Sequence, residues 1–143
     1  MCISAYKRQV IILKPYKISV LTVNKWCAKI IVVGDKFMKL SISERFYSKD
    51  AVKGFKEYKK AKELEHDGIN GKHNYVNMHY SENPFYKASK AYTDAYNYFS
   101  VAKLKAEHEN NQKMKESFDV KIKTCKLGIK KTEGLFEFTN YDK

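Results

Sequence analysis

Three of the four histidines in this chain, His66, His73 and His79, fall within HDGINGKHNYVNMHY, together with Asp67 and three asparagines. These residue types bind metals, move protons and position water. Their spacing serves none of those ends well. Six and five residues separate the histidines, so neither interval gives the i,i+4 pair of a helical zinc motif, and no cysteine lies nearby. Glu65, His66 and Asp67 are consecutive, and consecutive side chains do not converge on one ion. A ββα-metal nuclease needs a base histidine on a strand and metal ligands on the following helix, an arrangement absent from this stretch. Metal-dependent nuclease activity is therefore only a third expectation, behind binding to nucleic acid and binding to protein.

Other chemical motifs fare no better. Glu107-His108-Glu109 reads as an exposed helix end rather than an acid/base pair. Gly68 and Gly71 lack the lysine-serine ending of a phosphate loop, and there is no nucleophile elbow. Cys2, Cys27 and Cys125 are odd in number and widely spaced, without a CxxC pair. They read as unreactive free thiols of a reducing, cytoplasmic compartment. The sequence assigns no catalytic residue, no metal and no cofactor.

Charge carries more information. The 143 residues have a formal net charge of +12, built from 26 Lys, 2 Arg and 16 acidic residues. Such a balance favours an anionic partner, nucleic acid or an acidic protein surface. Lysine acts as a point charge, whereas arginine forks suit bidentate recognition of bases and phosphates, so little sequence specificity is expected. The abundance of Lys, Asn, Ile, Tyr and Phe also matches AT-rich coding sequence, as in phages and viruses. The ends are basic: residues 1–47 carry a net +7 and residues 110–143 a net +3, while 48–83 and 84–109 carry +1 each.

The elements that must position these groups follow from periodicity. QVIILK, KISVLTV and KIIVVGD, with FMKLSI as a fourth run, predict short N-terminal strands. Met38 opens MKLSISERF as a natural start would. Residues 1–37 are thus either a basic, β-like segment of one 143-residue domain or an extension upstream of Met38. Lysines interrupt the most apolar stretch, so no membrane span is expected.

Ser41 to Glu44 fits a capping box, and Phe46, Tyr47, Ala51, Phe55, Tyr58, Ala61 and Leu64 follow at helical spacing to about His66, with a break allowed near Ser48. Asn83-Pro84 opens a second helix, whose stripe is Phe85, Ala88, Tyr92, Ala95, Phe99, Ala102 and Ala106. Met114, Phe118, Ile122, Cys125 and Ile129 suggest a third helix over about 112–127, although Val120 to Thr124 also alternates as a strand would. Gly128 and Gly134 are expected to end it, with LFEFTNY as a terminal strand.

The expected fold is α+β: a helical hairpin (about 42–66 and 84–109), a third helical segment, short N-terminal strands and a small C-terminal strand. Gly68 is expected to cap the first helix at positive φ, with Asn70-Gly71 as a turn. KHNYVNMHY then reads as a strand or extended arm whose outer row includes His73, Tyr75 and His79. The candidate contacts for nucleic acid or another partner are Lys53, Lys56, Lys59, Lys60, Lys62, His73, Tyr75, His79, Lys121 and Lys123. The leading expectation is a small, basic, non-enzymatic accessory protein associated with nucleic acid or a nucleoprotein complex. The alternative is a protein-binding modulator, encoded by a phage or mobile element, that docks on an acidic host protein.

Overall fold

The computed structural model describes residues 38–140, which fall within one contiguous unit, Phe37–Lys143. The strands expected over 9–35 lie outside the described residues. Within them there are four helices: α1 (Ile42–Tyr47), α2 (Lys49–Asn70), α3 (Pro84–His108) and α4 (Gln112–Thr139). Two short 3-10 turns, Tyr75–Asn77 and Tyr80–Glu82, sit in the connection between α2 and α3. No strand occurs among the described residues, so the α+β expectation is corrected to an all-helical architecture there.

Each helix starts on a side chain that accepts from an orphan backbone N–H. Ser41 and Glu44 form the expected capping box on α1. The chain breaks at Ser48, whose hydroxyl accepts from the Ala51 N–H to start α2. Asn83 caps α3 ahead of Pro84, and Asn111 caps α4. The three residues between α3 and α4 form a Schellman motif. Asn110 adopts φ 57°, and the Asn111 N–H reaches the Ala106 carbonyl at 2.8 Å. Asparagine tolerates this left-handed conformation better than most residues.

Helix α3 lies between α2 and α4 and packs along both, whereas α2 and α4 scarcely touch. Its alanines allow close approach, and its rings fill the space between helices. Every residue of the stripe from Phe85 to Ala106 is buried, as are Tyr58 of α2 and Phe118 of α4. Burying such a ring contributes about 1.5–3 kcal/mol. Met38 and Leu40 join this core from an irregular lead-in, where a fourth strand was expected. The Met38 N–H donates to the Tyr58 hydroxyl at 3.2 Å.

Three further expectations fail for one reason, tertiary contact. Gly128 does not stop α4, because the Tyr92 ring lies where a side chain would be: a Cβ there would sit 2.6 Å from it. LFEFTNY is not a strand. Leu135 continues the buried stripe of Gly128 and Thr132, Phe136 meets the Tyr86 ring at 5.4 Å, and α4 runs on to Thr139. Gly68 is not a cap at positive φ. It is helical and buried, with the Phe85 ring 2.8 Å from its would-be Cβ, and α2 ends two residues later.

Candidate functional site

The outer face of α2 gathers Lys49, Lys53, Lys56 and Lys60 at i, i+4, i+7 and i+11, all exposed. They lie opposite the buried Ala51, Gly54, Tyr58, Ala61 and Glu65 and span roughly 16 Å along the axis. None of the four has a carboxylate within ion-pair distance among the described residues. Lys53 Nζ lies 6.0 Å from the Tyr98 ring centre on α3. Glu63, also exposed, closes the stripe toward the C-terminal end of the helix.

The five α2 lysines singled out from sequence therefore divide. Lys53, Lys56 and Lys60 belong to the stripe. Lys59 turns to the flank, 5.7 Å from the Phe55 ring, which also carries Arg45 at 5.8 Å. Lys62 is half-buried, 5.7 Å from the Tyr58 ring. Lys49, one turn before Lys53 on the same face, was missed because it stands at the very start of α2. The serine at position 48, a strong cap type, was the signal for a restart.

Lys121 and Lys123 have opposite roles. Lys123 is exposed and pairs at 3.4 Å with Asp119, which also receives Lys103 at 3.0 Å. Hydrogen bonds from Lys103 and Lys123 hold the Asp119 carboxyl below its usual range. Lys121 faces inward. Its Nζ lies 2.7 Å from Glu44 Oε2 and 3.3 Å from Ser117 Oγ, a buried ion pair joining α1 to α4. Burial alone would raise the Glu44 carboxyl. Hydrogen bonds from Lys121, Ser117 and the Ser41 N–H outweigh it and lower the group to about 2.

A second buried pair joins α2 to α4 directly. Glu65 accepts from the Tyr92 hydroxyl at 2.6 Å on Oε1, and Lys131 Nζ stands 2.8 Å from Oε2. That second contact is a charge pairing without hydrogen-bond alignment. The first pair ties α1 to α4, and the second bridges the gap that α2 and α4 leave between them. Neither was foreseen, although Lys121 follows Phe118 by three residues and precedes Cys125 by four, the spacing of a buried face.

The connection after α2 corrects the extended-arm expectation, because KHNYVNMHY contains a 3-10 turn. His73 Nε2 lies 3.1 Å from the Asp67 carbonyl and 3.3 Å from its carboxylate. The Tyr75 hydroxyl donates to the Gly68 carbonyl at 2.7 Å, and its ring stacks on Phe85. His79 caps the second turn through Nδ1, which accepts from the Ser81 N–H. The three side chains thus form no common row. Cys125 is buried, and that burial pushes its thiol up to about 12, which leaves it unreactive.

Among the described residues no group of three or more His, Cys, Asp or Glu side chains is placed to hold a metal ion. No described helix is long and apolar enough to cross a membrane. Comparison with protein-family models, curated proteins and solved structures returned no match.

Proposed function

We propose that this chain is a basic, non-enzymatic helical module that holds nucleic acid by its backbone, with little sequence preference. The observation that carries this is the stripe of Lys49, Lys53, Lys56 and Lys60, exposed and without carboxylate partners among the described residues. Lysines arrayed along a helix face neutralise successive phosphates and release counterions, which makes affinity depend on salt more than on sequence. A net charge of +12 adds long-range attraction to the encounter. A merely solvated helix face would bind nothing. The test is fluorescence anisotropy with labelled DNA and RNA at rising salt. Binding at about 50 mM salt that weakens steadily as salt increases supports the proposal, and absence of binding there refutes it.

A second reading rests on a separate observation. Ile42 and Phe46, one turn apart on α1, are 72% and 87% exposed, and Arg45 lies between them in sequence. An exposed apolar pair beside a cation suits docking on an acidic protein surface that has an apolar centre. Phe46→Ser would weaken capture of such a partner after nuclease treatment and leave DNA affinity unchanged.

A further inference from the structure

The connection between α2 and α3 divides into an inward and an outward half. His73 and Tyr75 are engaged by the end of α2, as described above. The residues that follow turn outward. Val76, Asn77, Met78, His79 and Tyr80, with Phe136 and Asn140 from the end of α4, line an open groove of about 460 Å³.

Its walls have two chemical characters. One is aromatic. His79 and Tyr80 are 4.7 Å apart between centroids, Tyr80 meets Tyr86 edge-on at 5.2 Å, and Tyr86 meets Phe136 at 5.4 Å. Tyr80 remains 48% exposed, so the cluster is not closed on itself. The other is amide. The side chains of Asn77 and Asn140 make no hydrogen bond to any described residue, and each presents a donor and an acceptor. A cation stands beside the cluster, with Lys90 Nζ 5.4 Å from the Tyr86 ring centre.

A ligand that uses both characters must be planar and aromatic, with donors and acceptors along its edge. A nucleobase meets that description. Tyrosine and phenylalanine rings stack on bases, and an asparagine amide matches the donor–acceptor edge of adenine. In a duplex the base faces are covered by stacking, so the groove can take only an unpaired base. We infer that this groove binds one unpaired base, adenine by preference, of a single strand whose backbone lies on the α2 lysines. The inference rests on the proposed function for that backbone contact, and the groove itself stands on its own geometry. The stripe occupies residues 49–60 of α2, so roughly 15 Å of helix separates it from the connection after Asn70. A strand several nucleotides long would cover that interval and then turn from the outer face of α2 to the connection, where α4 supplies the far wall of the groove.

The test has two arms. In the first, affinities for oligo-dA and for a blunt duplex are measured for the wild type, Tyr80→Ala and Asn77→Ala. Each substitution should lower single-strand affinity, Tyr80→Ala by about five-fold to a hundred-fold, the range of a lost stacked base. Duplex affinity and the salt slope should stay unchanged. Equal losses on strand and duplex, or no loss on the strand, overturn the inference. In the second arm, adenosine monophosphate is titrated into the full chain and backbone amide shifts are followed by NMR. Shifts confined to Asn77, His79, Tyr80, Phe136 and Asn140, and retained when the four stripe lysines are changed to glutamine, support the groove. Absence of those shifts overturns the groove and leaves the stripe standing. Those shifts without oligonucleotide binding overturn the stripe and leave the groove as a nucleotide site.

Discussion

The lysines of α2 and those of α4 are the same side chain in two different employments. On α2, Lys49, Lys53, Lys56 and Lys60 face away from the bundle with no acid against them among the described residues. On α4, Lys121 and Lys131 turn inward and neutralise Glu44 of α1 and Glu65 of α2. The difference lies in helix phase and not in composition. A net charge of +12 therefore overstates what a partner can reach, because part of the basic content is already committed inside the protein. The outward set should matter for binding and hardly for folding. The inward set should do the reverse.

The largest expected effect comes from removing an inward lysine. Lys121→Ala leaves the Glu44 carboxylate buried without its counter-ion, which should cost about 3–5 kcal/mol in denaturant unfolding. A loss comparable to that of an exposed lysine would erase the distinction. The same pair has a signature in acid. Glu44 is lowered to about 2 from an ordinary 4.5, so its contribution is fully present above about pH 4.5 and is lost as pH falls through 2. The shift corresponds to about 3 kcal/mol. Wild type should therefore lose that much more stability than Glu44→Gln between pH 5 and pH 2, measured by thermal or denaturant unfolding.

Phase also decides the sign of a smaller change. Gly128 and Gly134 both lie within α4, one under the Tyr92 ring and the other with nothing within 4 Å of a would-be Cβ. Gly128→Ala should destabilise by about 2 kcal/mol through overpacking. Gly134→Ala should stabilise by up to about 1 kcal/mol through helix propensity. Equal effects at the two sites would mean that α4 does not present these faces as described.

These cases also mark what the sequence made legible. Helix α3 could be read in advance because its cap, its proline and an alanine–aromatic stripe agree on one face, and all of that information is local. The capping box at Ser41 and Glu44 was legible for the same reason. The C-terminal half of α4 was not, because LFEFTNY favours a strand locally and only packing of Leu135 and Phe136 keeps it helical. Gly128 looked like a stop because nothing in its own segment reveals a tyrosine thirty-six residues earlier. The lysines of α2 were visible as a cluster, and helical periodicity alone would have sorted Lys53, Lys56 and Lys60 from Lys59 and Lys62; what it did not give is the ring that each flank lysine meets. Lys121 had the spacing of a buried residue, but the alternation of Val120 to Thr124 obscured it.

The smallest expected effect on stability belongs to the outward stripe, and it leads to the most direct test of the account. Lys49, Lys53, Lys56 and Lys60 are changed together to glutamine. A charge-matched control changes the exposed α4 lysines Lys113, Lys123, Lys126 and Lys130. The slope of log affinity against log salt is then measured for both on the same single strand. The α2 variant should unfold within about 0.5 kcal/mol of wild type. Its slope should be shallower by about 3, with the control losing much less. Equal slopes for the two variants would show that net charge, and not the α2 face, governs binding, and would contradict the account.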